Sequence, residues 1–169
     1  MPAISVVTVS GSLHAPSKTD ALLGAIVSSL GRRLDITVSA VDALDFVGAL
    51  KRADVASQLQ LIETADLLIV ASPVYRASYT GLFKHVFDLT GQTALAGTPV
   101  LLAATGGSDL HSLVIEHQLR PLFAFFEAAT LPVGVYAKDA DFTDYVVTSP
   151  SLLATIEHAV GVAVPVLSR

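Results

Sequence analysis

The sequence contains no cysteine. Disulfides, thiolate nucleophiles and cysteine-ligated metal sites are therefore excluded. Charge is sparse as well: Asp, Glu, Lys and Arg make up 15% of the chain, against about 25% in an average globular protein. Acidic residues outnumber basic ones by 15 to 10, giving a formal net charge of −5, and the basic residues form no run. A nucleic-acid binder needs a positive stripe to displace counterions from phosphates, so that class is set aside. Long apolar runs are missing too. Stretches such as Leu67–Ala71 and Val100–Ala104 fall far short of the roughly 20 residues that cross a bilayer. The N-terminus lacks the basic segment, apolar stretch and small-residue cleavage site of a signal peptide. The expectation is a soluble cytoplasmic protein with no membrane or nucleic-acid partner.

What is present is apolar: 52% of residues are hydrophobic. So few charges leave little to coat a monomer, and we expect a homodimer or homotetramer that buries part of this surface. With 169 residues and no repeat, linker or low-complexity stretch, a single domain over residues 1–169 is expected. Five β-rich runs alternate with helix-like stretches. They are Ile4–Val9, Leu34–Val41, Leu67–Ala71, Pro99–Ala104 and Leu131–Tyr136. Near-continuous apolar runs of this length suit strands covered on both faces, as in a parallel sheet between helices.

Helical spacing places apolar residues Leu22, Leu23, Ile26, Val27 and Leu30 on one face after Thr19, with Gly31 stopping the run. Further helices are predicted over Ala53–Thr64, Tyr79–Leu89, Asp109–Ala128 and Ser149–Val160, the last capped by Ser149 with Pro150 in its first turn. Alternating strands and helices give a doubly wound α/β sheet with right-handed crossovers. Strand order 2-1-3-4-5 is one of its two common solutions. Ligands bind such sheets beyond the carboxyl ends of the strands, where the order reverses.

Three loops at that end have unusual sequences. After strand one comes Ser10-Gly11-Ser12-Leu13-His14-Ala15-Pro16-Ser17-Lys18-Thr19. A helix start favours an anion, and Ser12, Ser17 and Thr19 add hydroxyls while Lys18 adds charge. It is neither GxxxxGK[ST] nor GxGxxG. A simple capping loop is the competing reading. After strand three, Ser72-Pro73-Val74-Tyr75 offers a stiff turn whose main-chain amides and Val74 or Tyr75 suit a flat heterocycle; an ordinary strand-to-helix turn is the alternative. After strand four, Thr105-Gly106-Gly107-Ser108 permits close backbone approach to a ring, or mere flexibility.

Together, Ser10-Gly11-Ser12 with Pro16-Ser17-Lys18-Thr19, Ser72-Pro73-Val74-Tyr75 with Gly81-Leu82-Phe83-Lys84-His85, and Ala104-Thr105-Gly106-Gly107-Ser108 resemble the NAD(P)H-dependent FMN reductase family. The resemblance implies a flavodoxin-like three-layer sandwich with a five-stranded parallel sheet of order 2-1-3-4-5. It implies that Ser10, Ser12, Ser17, Lys18 and Thr19 hold the FMN phosphate. Pro73, Val74 and Tyr75 would line the isoalloxazine, Thr105, Gly106, Gly107 and Ser108 would close its other side, and His111 and His117 would belong to the pocket or an interface. Where many members carry arginine, this chain has His14, which implies weaker or more exchangeable flavin binding.

In the stretch after strand four, Pro121 cannot donate to the carbonyl of His117, so a helix there must kink or widen into a π-type bulge. Val114–Leu122 resembles the fourth helix of two-component FMN reductases that serve sulfonate monooxygenases. By that resemblance His117 marks the bulge, and the helix around His117–Phe126, with Phe123, Phe125 and Phe126, forms the subunit interface. His111 and His117 are six apart, which is not metal-ligand spacing, and no metal site is predicted. The implied reaction is reduction of FMN by NADPH or NADH, chemistry the cofactors themselves perform, so no residue is assigned a proton-transfer role. The implied partner is a flavin-dependent monooxygenase of the alkanesulfonate or methanesulfonate type. An FMN-retaining quinone, azo-dye or chromate reductase and a flavodoxin-type electron carrier are the alternatives.

Overall fold

The computed structural model describes residues 3–168. Strand β1 (Ile4–Ser10) pairs in parallel with β2 (Ile36–Asp42) on one side and β3 (Leu67–Pro73) on the other. Strand β4 (Pro99–Gly106) adds to β3, giving the order β2-β1-β3-β4 followed by the fifth position. The predicted doubly wound, flavodoxin-like order is thus the observed one. Strand β2 sits at the edge, and Thr37, Val38 and Ala40 are exposed there rather than covered.

The fifth position differs from the single strand expected over Leu131–Tyr136. It holds β5 (Ala129–Thr130) and β6 (Val135–Lys138), both pairing with β4 and separated by Leu131–Gly134. Pro132 has no N–H to give the ladder, so the strand breaks at it. Gly134 then passes close under its neighbours: a Cβ there would lie 2.7 Å from Ile115 Cγ2. Beyond β6 a short antiparallel hairpin, β7 (Phe142–Thr143) with β8 (Val146–Val147), was not foreseen.

Two apolar layers sandwich the sheet. On one face α1 (Lys18–Gly31) and the last helix cover Val6, Leu67, Ile69, Leu101 and Ala103. On the other, α2 (Ala56–Glu63), α3 (Gly81–Leu89) and the segment after β4 cover Val7, Val9, Leu68, Val70 and Leu102. Side chains alternate between the two layers along each strand, as the period of two requires.

The segment expected as one helix over Asp109–Ala128 is broken. A 3-10 turn at Asp109–His111, capped by Ser108 Oγ, is followed by a π-helical turn at Ile115–Leu119 and then α4 (Arg120–Phe125). The Arg120 N–H reaches back five residues to the Ile115 carbonyl. The widening expected from Pro121 therefore falls on the turn just before it, and His117 lies inside it. Arg120 steadies this turn through a two-pronged bond to Glu116 (2.6 and 2.8 Å) and one to the Leu131 carbonyl (3.0 Å).

The last helix, α5 (Pro150–Leu167), starts as predicted, with Ser149 Oγ accepting from Leu152 N, but runs beyond Val160. It is long and apolar enough to span a bilayer by length and composition. Its buried residues Leu152, Ile156, Ala159, Val160 and Ala163 face the sheet, and Glu157 binds Ser29, Arg32 and Arg33 from α1 and its end. One face of it thus packs into the core of the fold.

Candidate active site

The carboxyl ends of β1, β3 and β4 meet at a cavity of about 300 Å³, within the range of small-molecule sites. Its wall begins with the loop after β1. Gly11 donates to the Ala71 carbonyl (2.7 Å), and its own carbonyl accepts from Thr80 Oγ1 (2.8 Å). A Cβ at Gly11 would lie 2.8 Å from Ser72 Oγ and 3.0 Å from Phe83 Cβ, so only glycine lets this loop pack on the start of α3. Ser72 Oγ in turn accepts from Thr80 N (3.0 Å). The loops after β1 and β3 are thereby fastened to each other.

At one end of the cavity α1 begins. Ser17 caps it, its Oγ accepting from Asp20 N (3.0 Å). The amides of Lys18 and Thr19 lie in the first turn of α1, whose N–H groups find no partner within the helix. Ser12 Oγ donates to the His14 carbonyl (2.9 Å), while Thr19 Oγ1 bonds Thr105 Oγ1 (2.8 Å) and links this end to β4. Lys18 Nζ lies 2.9 Å from Asp139 Oδ1.

Elsewhere the cavity is lined by Pro73, Val74 and Tyr75 and, beside them on the paired strand, Thr105, Gly106 and Gly107. The amides expected to be offered here are already engaged: Val74 N donates to the Thr105 carbonyl (2.8 Å) and Tyr75 N to the Ser78 carbonyl (2.8 Å). This turn contributes shape rather than donors. Gly106 is fixed by packing, because a Cβ would stand 2.1 Å from the Tyr136 hydroxyl. That hydroxyl donates to the Ser108 carbonyl (2.6 Å). Burial pushes the Tyr136 phenol above its ordinary range, and the nearby Asp109 and Asp139 push it the same way, so it stays a neutral donor.

Two tight turns flank the cavity. Arg76 and Ala77 (φ 49° and 68°) lie between Tyr75 and Ser78, and Asp144 and Tyr145 (φ 45° and 61°) lie between β7 and β8. Left-handed backbone at a residue with a Cβ costs about 1 kcal/mol or more. That strain is concentrated where Tyr75 and Tyr145, both nearly half exposed, border the cavity.

Of the residues singled out in the sequence, the cavity brings together Ser12, Ser17, Lys18, Thr19, Pro73, Val74, Tyr75, Thr105, Gly106 and Gly107. Four do not line it. Ser10 lies buried behind the loop, donating to Asp20 Oδ1. Ser108 caps the following turn and holds Tyr136. His111 is exposed at the end of that turn, and His117 is exposed on the π-turn. The π-turn reaches the site through the adjacent Gln118, whose Oε1 accepts from Ser78 Oγ (3.1 Å).

Sequence reasoning missed Asp139 and Tyr145, which also line the cavity. Asp139 follows the carboxyl end of β6, so the rule that pointed to the other three loops reaches it once the fifth strand is extended to Lys138. Tyr145 sits in a two-residue hairpin turn without the Asn-Gly or Asp-Gly pair that betrays such turns.

One cavity thus joins a helix start bearing hydroxyl side chains to a lining of Pro73, Val74, Tyr75 and glycine backbone. Comparison with known proteins shows the family. The sequence profile of the family described as "NADPH-dependent FMN reductase" matches residues 4–143. The chain is 51% identical to the NADH-dependent FMN reductase SfnF of Pseudomonas fluorescens, over 96% of this chain and 91% of that protein. It is 49% identical to an FMN reductase (NADPH) of Pseudomonas aeruginosa, over 95% and 90% of the two chains. The fold superposes on the crystal structure of an oxidoreductase from Corynebacterium diphtheriae with TM-score 0.85 and 31% identity, covering 98% of this chain and 97% of that one.

Proposed function

This chain belongs to the NADPH-dependent FMN reductase family, and from that premise we propose that the cavity at the carboxyl ends of β1, β3 and β4 holds FMN while NADH or NADPH reduces it. The observation that carries the assignment is that one cavity is lined both by the start of α1 (Ser17, Lys18, Thr19) and by the turns after β3 and β4 (Pro73, Val74, Tyr75, Thr105, Gly106, Gly107). When bound, the nicotinamide and flavin rings supply the hydride chemistry themselves. The protein's residues place the rings and keep them there. Ser12, Ser17, Thr19 and the first amides of α1 hold the phosphate. Pro73, Val74 and Tyr75, with Thr105, Gly106 and Gly107 beside them on β4 and its loop, border the ring. Rigid walls suit this task, since orientation at near-attack distance is the main contribution a protein makes to transfer between bound cofactors.

We further assign the reduced flavin to a partner monooxygenase of the alkanesulfonate or methanesulfonate type, as the resemblance of the Val114–Leu122 segment to two-component reductases implies. The π-turn observed there supports this reading. A homo-oligomer assembled through α4 goes with it, and of the three phenylalanines expected at its interface Phe125 is the one on the surface. Phe123 and Phe126 are buried in the monomer, stacked on Phe87 at 4.8 and 6.3 Å, whereas Phe125 is 61% exposed and Leu113 is 62% exposed. Phe125 and Leu113 are the residues to meet a second copy.

The test follows nicotinamide oxidation by absorbance while added FMN is varied from none to saturating. Turnover that rises and saturates with added FMN establishes flavin as a substrate. Turnover with a quinone or azo dye and no added FMN favours an FMN-retaining reductase, and no turnover under either condition overturns the reading.

A further inference from the structure

Besides the phenols of Tyr75 and Tyr145, the ionisable side chains lining the cavity are His14, Lys18 and Asp139. Lys18, on the first turn of α1, stands where a cation would meet a phosphate, yet Asp139 Oδ1 is 2.9 Å from its Nζ. The other Asp139 oxygen, Oδ2, lies 4.0 Å from the position a Cβ would take on Gly107. The carboxylate therefore sits between Lys18 and the Gly107 backbone. The neighbouring cation, Lys138, is itself bound to Asp109 at 2.7 Å. His14 gives its Nδ1–H to the Pro16 carbonyl (3.0 Å), which leaves Nε2 as the ring nitrogen without a partner among the described residues. With Lys18 offset by Asp139, the phosphate end offers hydroxyls, amides and one imidazole.

We propose that Asp139 sets how long this chain keeps its flavin: by cancelling Lys18 at the phosphate end it holds FMN affinity down, so that FMN enters and leaves as a substrate. The inference rests on the FMN reading above and adds an affinity-setting residue to it. A phosphate dianion and a carboxylate sharing one cavity repel. Removing one unit charge at that range, with near-surface screening, changes the affinity of a doubly charged group by about tenfold. The Lys18–Asp139 pair is only partly buried, so the change stays at that modest level.

The experiment titrates the purified protein with FMN and with riboflavin, reading flavin fluorescence, for wild type, Asp139→Asn, Lys18→Gln and the double variant. Asp139→Asn is expected to bind FMN about tenfold more tightly, with riboflavin binding unchanged because riboflavin carries no phosphate. The gain should shrink as salt rises. Lys18→Gln should weaken FMN binding about tenfold in wild type, because it leaves the Asp139 carboxylate without its cation, and should return the Asp139→Asn variant to about wild-type affinity. An Asp139→Asn variant that binds FMN equally or less tightly overturns the inference, and so does a gain shared by riboflavin. Wild-type protein that binds neither flavin overturns the FMN reading, and the inference with it.

Discussion

Gly106 is the sharpest test of how the flavin-side wall is built. A methyl group there would stand 2.1 Å from the Tyr136 hydroxyl and 3.1 Å from Cζ of the same ring. Real Cβ atoms do not approach that closely, so in Gly106→Ala the ring must move. The ring is rigid, so turning it away about its Cα–Cβ bond carries the hydroxyl with it and breaks the 2.6 Å hydrogen bond to the Ser108 carbonyl. Overpacking of this kind costs about 1–3 kcal/mol, and loss of the hydrogen bond about 1 kcal/mol more. Together they come to about 3 kcal/mol, or roughly 6–12 °C in Tm for a chain of this size. The partner variant makes the reasoning refutable. Tyr136→Phe removes the atom that clashes, so Gly106→Ala with Tyr136→Phe should recover most of the lost stability, although Tyr136→Phe alone loses the hydrogen bond. Thermal melts of the four proteins complete a double-mutant cycle with a strongly non-additive term. A Gly106→Ala protein that melts within 1–2 °C of wild type, or a double variant no more stable than Gly106→Ala, would refute the packing account (roughly the error of such measurements).

Ser17→Ala combined with Thr19→Ala removes the cap of α1 and the hydroxyl joined to Thr105; FMN affinity measured by titration should fall, with about 1 kcal/mol of stability lost from the cap. Phe125→Asp should shift the protein to smaller species in sedimentation without lowering its Tm, whereas Phe126→Asp, at a buried ring, should cost about 3–5 kcal/mol in denaturant melts. Glu63 is held below the usual carboxylate range by its two-pronged bond from Arg52, against an opposing contribution from burial. A depressed acid stabilises the fold above its unfolded pKa and loses that contribution as pH falls through its folded value. Wild type should therefore exceed Glu63→Gln by about 1 kcal/mol at pH 7, the margin closing below about pH 4; a margin unchanged at pH 3 would contradict this.

The order of the sheet was legible because its signals are local. Each buried strand is a short apolar run, and right-handed crossovers leave few ways to join such runs. Where the reading failed, longer-range packing had the deciding vote. Pro132 and Gly134 are strand breakers inside the Leu131–Tyr136 run, but the apolar residues around them hid the break until β4 showed two separate pairings. Pro121 announced a widened helix correctly. It did not reveal which phenylalanine faces outward, since a π-turn inserts a residue and rotates everything after it by about 100° relative to an unbroken helix. Phe123 and Phe126 consequently went inward against Phe87, and Phe125 outward.

The site shows the same division on a finer scale. Ser12, Ser17 and Thr19 share one loop and one helix start, so their convergence follows from adjacent residues and the geometry of a cap. The backbone needs of Gly11 and Gly106 are invisible in sequence, yet glycine at both positions left a trace that motif reading could use. Charge balance leaves no such trace. Lys18 and Asp139 are 121 positions apart and belong to no common motif, and each alone looks like an ordinary surface charge. A loop that reads as cationic in isolation is close to neutral once the fold delivers the carboxylate to it. Donor type and position can thus be inferred from a short motif, while the electrostatic strength of the same site is a property of the assembled fold, set here by a residue at the far end of the sheet.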